Sequence, residues 1–288
     1  MENFMNRVEF LKTEFHRIEK ITNNEWMKSL DDRKKRELEF HDLHRDTHNV
    51  ASMNKDSYEK FYGNKKYYAG TRLSRDYVQA WINKHAQGNI FLDYACGNGG
   101  LAIKAAKAGA ELAVGIDISP ISVNNAKAEA QKEGVQDNTY FLQADAENTK
   151  LPDGSIDAVI CSGMLHHLDL SYAFPELRRI LKSHGRLLAL EALEYNPAIK
   201  LYRYYTPMMR TEWEKAHILG LSDIRFAQKF FTVGEIRYWH ITSILTPFYP
   251  SLLPLWNRID SFLTKIPIIR LLAWMFTFEL IKPGAASS

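Results

Sequence analysis

Apolar runs of strand length alternate with alanine- and lysine-rich stretches between residues 90 and 192, and glycine or aspartate marks many of their boundaries. Such alternation is typical of βαβ units. We predict strands at 90–94, 112–117, 139–143, 156–162 and 185–192, with helices at 100–108, 119–134 and 173–181. Consecutive βαβ units predict a doubly wound, mostly parallel α/β sheet that binds ligands at the carboxyl ends of its strands.

The residues that precede the first strand are mostly helical in pattern. Leu11 and Phe15 recur at helical spacing in a segment with many charges that extends to about residue 48. An aromatic and basic loop is predicted at 58–68, followed by a helix at 74–85. We expect residues 1–87 to form an N-terminal helical cap over a cofactor and substrate cleft.

The alternation stops after residue 192, inside a core that we expect to extend over 88–288. A segment with several prolines and arginines follows, and we interpret about 193–233 as a lid insertion. Strands are predicted at 235–244 and 272–281, separated by a helical insertion at about 245–270. The expected architecture is therefore a Rossmann-like core with two late insertions.

The composition is that of a folded globular chain, with 45% apolar and 25% charged residues and a net charge of +3 over 288 residues. Acidic and basic residues are interleaved, as in 31–37, which we interpret as a solvated helix face. The weak net charge argues against a nucleic-acid partner.

Two cysteines, Cys96 and Cys161, lie in separate apolar segments and are expected to be buried free thiols in a reducing compartment. The first residues lack the pattern of a secretory signal. The most apolar stretch, 271–278, is far shorter than the roughly 20 residues of a membrane-spanning helix. We therefore expect a cytoplasmic protein without a transmembrane segment.

The first predicted strand leads directly into a glycine turn and an alanine-rich helix. Gly97 and Gly99 allow close backbone approach to a ligand. Asp117 ends the next strand twenty residues after Gly97, where a carboxylate can accept both hydroxyls of an adenosine ribose. These residues predict a nucleoside site.

The glycine pattern alone also fits a nicotinamide dinucleotide, which leaves an NAD-type oxidoreductase as an alternative. Asp93 favours S-adenosylmethionine, because a carboxylate four residues before Gly97 would repel a pyrophosphate but suits an ammonium group. Asp145 follows the third strand, where it can accept the exocyclic amine of adenine. Each acid alone also fits the simpler interpretation of a strand-end turn former.

At this point the chain resembles the class I S-adenosylmethionine-dependent methyltransferases, and within them the ubiquinone/menaquinone-biosynthesis-like branch. The matching segments are LDYACGNG (92–99), GIDIS (115–119), ADAE (144–147), LPDGSID (151–157), MLHHL (164–168) and LRRILK (177–182). The resemblance implies a seven-stranded sheet that ends in an antiparallel hairpin. Ala95 stands where the family usually has glycine, and Ser183 where it usually has proline.

The predicted cofactor is S-adenosylmethionine. Its predicted site comprises Tyr68, Asp93, Ala95, Gly97, Asn98, Gly99, Asp117, Ile118, Asp145, Ala146 and Ser162. Tyr68 is included because the face of an aromatic ring attracts a sulfonium cation, although aromatic residues in such loops also simply pack.

His166 and His167 follow the fourth strand and are the candidate catalytic bases, needed only if the acceptor must lose a proton. They would otherwise cap the next helix or pack beneath the cofactor. Arg203 and Arg210 are candidates for binding an anionic substrate group, or else surface charges near acids. No metal is expected, because no histidine shares ligand spacing with a cysteine or acid on one element.

The segment after the fourth strand is Cys161-Ser162-Gly163-Met164, which differs from the Asn-Pro-Pro-Tyr pattern of enzymes that methylate base amines. We therefore expect O- or C-methylation of a small, hydrophobic acceptor of natural-product, isoprenoid or lipid-like character. A non-catalytic S-adenosylmethionine-binding protein is a second alternative. The apolar late insertion leaves peripheral membrane contact and a homo-oligomer as open interpretations.

Overall fold

The computed structural model describes residues 6–21 and 23–284. Six helices precede the sheet in the described part: α1 (Arg7–Glu19), α2 (Asn23–Ser29), α3 (Asp32–Arg45), α4 (Thr47–Ser52), α5 (Lys55–Tyr62) and α6 (Arg72–Ala86). The loop predicted at 58–68 is wrong, because α5 runs into a 3₁₀ helix at Gly63–Gly70. Asn54 caps α5 by accepting a hydrogen bond from the Ser57 amide, a start signal that the aromatic composition of the segment obscured.

A seven-stranded sheet with the order β3-β2-β1-β4-β5-β7-β6 confirms the predicted fold class. Its strands are β1 (Ile90–Tyr94), β2 (Leu112–Asp117), β3 (Thr139–Gln143), β4 (Ile156–Ser162), β5 (Leu181–Ala192), β6 (Thr232–Trp239) and β7 (Met275–Ile281). The first five are parallel, whereas β7 is antiparallel to both β5 and β6.

The bounds of three strands differ from the prediction. β5 begins four residues early, at Leu181. β6 covers 232–239 rather than 235–244, because His240 has a φ of 66° and turns the chain out of the strand. β7 begins at Met275 because the preceding residues, Ile269–Leu272, form a 3₁₀ turn.

Helices cover both faces of the sheet. The crossover helices are α7 (Gly100–Lys107), α8 (Pro120–Lys132) and α9 (Leu170–Ile180). Because neighbouring residues of a strand point to opposite faces, Leu92 joins a core cluster with Phe15 of α1. Phe91 joins the other cluster with Trp81 and Ile82 of α6. The N-terminal helices thus contribute to both core layers.

The segment after β5 is helical rather than irregular. It holds α10 (Pro197–Tyr205), α11 (Glu212–Ala216) and α12 (Leu221–Ala227), and α13 (Leu253–Leu263) lies between β6 and β7. None of the helices in the described ranges is long and apolar enough to cross a lipid bilayer.

Candidate cofactor and acceptor site

The turn between β1 and α7 is built from left-handed backbone. Gly97 and Gly99 have φ angles of 51° and 76°, and a Cβ on Gly99 would lie 2.7 Å from the ring of Phe141. Glycine is therefore required at residue 99 both by conformation and by space. Ala95 also has a positive φ, of 58°, which costs an alanine about 1 kcal/mol. The departure from the family's glycine therefore places strain in this turn.

Asp117 lies at the carboxyl end of β2 and braces the glycine turn. Its carboxylate accepts hydrogen bonds from the amides of Gly97, at 2.8 Å, and Ser119, at 2.9 Å. Burial raises the pKa of Asp117, while these two amides and the nearby Arg45 charge oppose the rise. The carboxylate is thus at the predicted ribose position, already oriented by backbone donors.

Asp93 is buried at the carboxyl end of β1. Its carboxylate accepts a hydrogen bond from the Ala102 amide, at 3.0 Å, in the first turn of α7. Burial raises the pKa of Asp93 to about 7, and amides at the start of α7 act in the opposite direction. Asp93 therefore changes its charge close to neutral pH.

Asp145, the third predicted acid, is already paired with α3. The ammonium of Lys34 lies 2.6 Å from Asp145 and 3.0 Å from Glu147, and Arg33 lies 2.6 Å from Glu147. The side chains of Arg33 and Lys34 are only 17% and 15% exposed. For these two residues the predicted solvated helix face is wrong, because the carboxylates at the end of β3 draw them into the cleft.

The rest of α3 continues over the glycine turn. A Cβ on Gly97 would lie 2.9 Å from the guanidinium of Arg45, and the Ser119 hydroxyl donates a hydrogen bond to Asp42. Side chains of α3 and the ends of β2 and β3 line a narrow cavity of about 30 Å³. Its walls include the predicted cofactor residues Ala95, Asp117, Ile118, Asp145 and Ala146.

On the other side of β4, His166 is held by a buried acid. Its Nδ1 lies 2.7 Å from Glu191, a residue with no solvent exposure that also accepts hydrogen bonds from the amides of Met164 and Leu165. The Glu214 carboxylate lies 3.7 Å from His166 Nε2. A carboxylate on Nδ1 leaves Nε2 as the nitrogen that can take a proton.

His167 connects the β4 segment to α3. Its Nδ1 lies 3.0 Å from Glu37, and its backbone carbonyl accepts a hydrogen bond from Arg33. Burial acts to lower the pKa of His167, but the hydrogen bond to Glu37 and the charge of Glu214 outweigh it and raise the pKa overall. The two predicted histidines are therefore differently placed, and Nε2 of His166 lies 3.7 Å from the carboxylate of Glu214.

Arg203 and Arg210 are not surface charges. Their side chains are 12% and 7% exposed, and both lie within 3.5 Å of the single carboxylate of Glu214. Burial lowers the pKa of both guanidinium groups, and the charge of Arg210 lowers that of Arg203 further. Two buried cations thus share the carboxylate of Glu214, and the carboxylate of Glu191 lies on the other nitrogen of His166.

Six predicted cofactor residues are not among the walls of the narrow cavity, and three of them, Asp93, Gly97 and Gly99, belong to β1 and the glycine turn. Of the other three, Tyr68 packs against Trp274, with 5.2 Å between ring centroids. Ser162 is exposed at the end of β4. Asn98 accepts a long hydrogen bond, 3.4 Å, from the side chain of Asn125.

The prediction of no metal assumed that no histidine lies at ligand spacing from a cysteine or acid on the same element. That assumption is wrong, because Glu37 and His41 lie one turn apart on α3. In the described part of the chain, ligand atoms lie within 4.8 Å of one another in two groups, Glu37 with His41 and His167, and His166 with His167 and Glu214. Burial, followed by the charge of His167, holds the pKa of His41 well below its ordinary value. Absence of a metal remains a prediction.

Sequence reasoning missed the acids and bases that complete the site. Arg33, Glu37, His41 and Arg45 recur at four-residue intervals and therefore share one face of α3. This spacing, which is visible in the sequence, indicates that one face of α3 is charged and lines a polar cleft. Glu191 stands alone in the apolar run of β5, and an acid at such a position needs buried partners.

A comparison with known protein families matches the same region of the chain. The family described as "Methyltransferase domain" matches residues 92–189. This segment is a class I S-adenosylmethionine-dependent methyltransferase domain. The match spans β1 to β5 and therefore contains the glycine turn, the three strand-end acids and both histidines.

Relatives of the methyltransferase domain are similar over this core. The 27-O-demethylrifamycin SV methyltransferase of Amycolatopsis mediterranei is 39% identical over 35% of this chain and 37% of its own length. The demethylmenaquinone methyltransferase of Thermus thermophilus is 41% identical over 35% of this chain and 46% of its own. The chain spans about half or less of the length of the curated relatives that it matches.

A solved structure extends the similarity in fold. The geranyl diphosphate C-methyltransferase of Streptomyces coelicolor superposes with a TM-score of 0.57 over 88% of this chain and 98% of its own, at 13% identity. At this identity the similarity concerns the fold alone.

The residues of the methyltransferase domain fit S-adenosylmethionine, the cofactor of its family. Gly97 and Gly99 leave their backbone free of a Cβ, and Asp93 and Asp117 end adjacent strands. The narrow cavity is lined by apolar side chains such as Ile116 and Ala144 together with the Asp117 and Asp145 carboxylates. The Asp145 carboxylate is already engaged by the Lys34 ammonium.

Proposed function

We propose that this chain transfers a methyl group from S-adenosylmethionine to an O–H or acidic C–H group of a small, apolar acceptor that carries an anionic group. The observation that supports it best is the Glu191–His166 pair beside Arg203 and Arg210 at the carboxyl end of the sheet. It combines a proton acceptor with two guanidinium groups that share one carboxylate, Glu214.

In this proposal the cofactor is held by the three strand-end acids. Asp93 receives the methionyl ammonium, Asp117 the ribose hydroxyls and Asp145 the adenine amine. When bound, S-adenosylmethionine supplies an electrophilic methyl group. We also propose that residues 1–87 act as a cap, with α3 as the part that must release Asp145.

His166 is the proposed general base. Glu191 keeps Nδ1 protonated and stabilises the imidazolium that forms when Nε2 accepts the acceptor's proton. Because His166 and Glu191 are only 12% and 0% exposed, the protonated ring is stabilised by fixed protein groups rather than by water. Glu214, 3.7 Å from Nε2, adds a second carboxylate to this stabilisation.

Arg203 and Arg210 are proposed to hold the anionic group of the acceptor. They also line an open cleft of about 880 Å³ together with the aromatic side chains of Tyr204 and Tyr205. Guanidinium groups bind carboxylates and phosphates through paired hydrogen bonds, whereas the tyrosine rings favour an apolar body. The cleft therefore supports an amphiphilic acceptor.

The names of the two relatives support a small-molecule acceptor, since one acts on a rifamycin and the other on a demethylmenaquinone. The cofactor of the matched family removes the main argument for an NAD-type oxidoreductase. A non-catalytic binding protein is the remaining alternative and would show cofactor binding without transfer. Localisation in the cytoplasm stays a prediction.

The test combines calorimetry of S-adenosylmethionine binding with transfer of a labelled methyl group to phenols, hydroxyquinones and amphiphilic carboxylates. We expect Asp117→Ala to weaken cofactor binding by about 1.5–3 kcal/mol, because a charge-assisted contact is lost. His166→Gln should leave affinity unchanged and lower turnover by roughly 10²–10⁴-fold.

Glu191→Gln distinguishes a His166 that acts as a base from one that only packs. If His166 is the base, this substitution should move the acidic limb of the pH–rate profile to lower pH. His184→Asn is the matched control, since this exposed histidine lies in the amino-terminal half of β5 and has the left-handed φ that asparagine tolerates. Full turnover in His166→Gln contradicts the base, and cofactor binding without transfer to any acceptor supports the non-catalytic alternative.

A further inference from the structure

Helix α13 buries an acidic residue and exposes large apolar side chains. Among its eleven residues, all of them described, only Asp260 is fully buried. The Asp260 carboxylate accepts hydrogen bonds from the amide and hydroxyl of Thr242, both at 2.7 Å, and from the Ser243 amide, at 3.1 Å. This anchor turns Leu255 and Phe262 outward, where they are 47% and 66% exposed.

The outward face of α13 is apolar and basic. Leu255, Arg258, Phe262 and Lys265 follow one another at intervals of three or four residues, so that they form a single stripe that continues just past the helix end. All four are exposed. Between residues 245 and 272 the sequence contains three basic residues, and its one acid is the buried Asp260. No acidic side chain from this described segment therefore reaches its surface.

The exposed apolar surface extends beyond the helix. Phe248, Tyr249 and Ile268 are 63%, 58% and 83% exposed. We call the surface formed by Phe248, Tyr249, Leu255, Phe262 and Ile268 the apolar rim. Such a density of large exposed apolar side chains marks an interaction surface.

The apolar rim borders the acceptor side of the site. The ring of Tyr67 lies 6.5 Å from that of Phe248 and 5.6 Å from that of Tyr202 on α10, the helix that carries Arg203. Tyr204 and Tyr205 of α10 are 77% and 72% exposed. One aromatic surface thus runs from the rim to the arginines.

We propose that the apolar rim docks on an anionic lipid surface. Charge complementarity decides for lipid as the occupant, because Arg258 and Lys265 alternate with apolar side chains and no carboxylate of the described residues 245–272 is exposed among them. Long basic side chains can place their charge at phosphate level while phenylalanine and leucine enter the acyl boundary. Delivery of a membrane-borne anionic acceptor to Arg203 and Arg210 rests in addition on the proposed function.

The test is flotation of the full chain with phosphatidylcholine vesicles that contain or lack phosphatidylglycerol. We expect binding to the anionic vesicles, weakened by added salt. Phe248→Ser/Phe262→Ser should lower the partition coefficient by roughly tenfold or more, since two aromatic side chains leave the lipid. Arg258→Glu/Lys265→Glu should remove the preference for phosphatidylglycerol, because about 1 kcal/mol per basic residue, roughly a fivefold change each, depends on it.

Matched controls change similar residues elsewhere. Tyr172→Ser removes a side chain on α9 that is 62% exposed, and Lys84→Glu/Lys132→Glu reverses two exposed charges outside the rim. Both should float like the wild type. All variants should bind S-adenosylmethionine normally, which shows that they are folded.

Absence of flotation, or equal flotation of Phe248→Ser/Phe262→Ser, overturns the lipid proposal. So does a dimer in sedimentation equilibrium that these two substitutions dissociate, because the rim would then be a subunit interface. Failure of the proposed function has a different result, namely vesicle binding that depends on the rim in a chain that transfers no methyl group.

Discussion

Buried carboxylates define the site at the scale of single residues. Asp93 and Asp117 lie on adjacent strands and both lack a direct cationic partner within ion-pair distance among the described residues. Backbone amides of the glycine turn and of α7 and α8 hydrogen-bond to them instead. The two carboxylates are therefore poised to gain a cationic or hydroxyl-bearing ligand, and the elevated pKa of Asp93 makes that gain depend on pH.

Asp93 provides the prediction at this scale. Its pKa of about 7 lies above the ordinary value of 3.8, so the carboxylate is mostly protonated at pH 6 and mostly ionised at pH 8. If the ionised form binds the methionyl ammonium, affinity for S-adenosylmethionine should rise roughly tenfold from pH 6 to pH 8. Calorimetry at both pH values measures the affinity of the wild type and of Asp93→Asn. The affinity of Asp93→Asn should not rise with pH. An identical pH dependence in both proteins would assign it to the ligand's own amine.

At the scale of elements, single junction residues determine how helices and strands meet. Lys34 and Arg33 join α3 to the segment after β3 through ion pairs that are largely shielded from solvent. His240 joins β6 to α6, because its ring nitrogens lie 2.8 Å from the Ser74 hydroxyl and 2.9 Å from the Ser243 hydroxyl. Burial lowers the pKa of His240 to about 4, so this junction requires a neutral ring.

His240 therefore predicts acid sensitivity. The unfolded chain takes up a proton near pH 6.5, while the folded chain resists it until about pH 4, so the stability that neutral His240 allows is lost as pH falls. Between pH 7.5 and pH 5 the wild type should lose about 2 kcal/mol more unfolding free energy than His240→Asn. Urea unfolding at the two pH values measures it. Equal losses would mean that the ring is protonated in the folded chain.

The whole molecule is organised by a sheet whose two faces are covered partly by the N-terminal helices. Leu11, Phe15 and Ile18 of α1 belong to the core cluster of β1, β2 and β3, and the ring of Phe15 lies 5.0 Å from that of Tyr140. α6 completes the opposite layer. The proposed cap therefore shares its hydrophobic core with the methyltransferase domain, which couples the packing of α1 and α6 to the stability of the sheet.

Phe15→Ala tests this coupling. The side chain has no solvent exposure, and its loss should lower the free energy of unfolding by about 3–5 kcal/mol while the chain still unfolds in one transition. Phe10→Ala, on the same helix but 42% exposed, should change it by only about 0.5 kcal/mol. Urea titration followed by circular dichroism gives both values. A separate early transition in Phe15→Ala would show that the helices fold independently of the sheet.

The sequence by itself determined the strands, the glycine turn and the three strand-end acids, because hydrophobic period and glycine conformation act over a few neighbouring residues. It placed β1 to β4 at their observed bounds and erred by a few residues where β6 and β7 meet irregular turns. Only the tertiary structure decided that Lys34 pairs with Asp145, 111 residues away, and that Glu191 holds His166. The sequence does not show whether a charged residue is hydrated or paired with a residue far along the chain. The packing of α3 and β5 determines those partners.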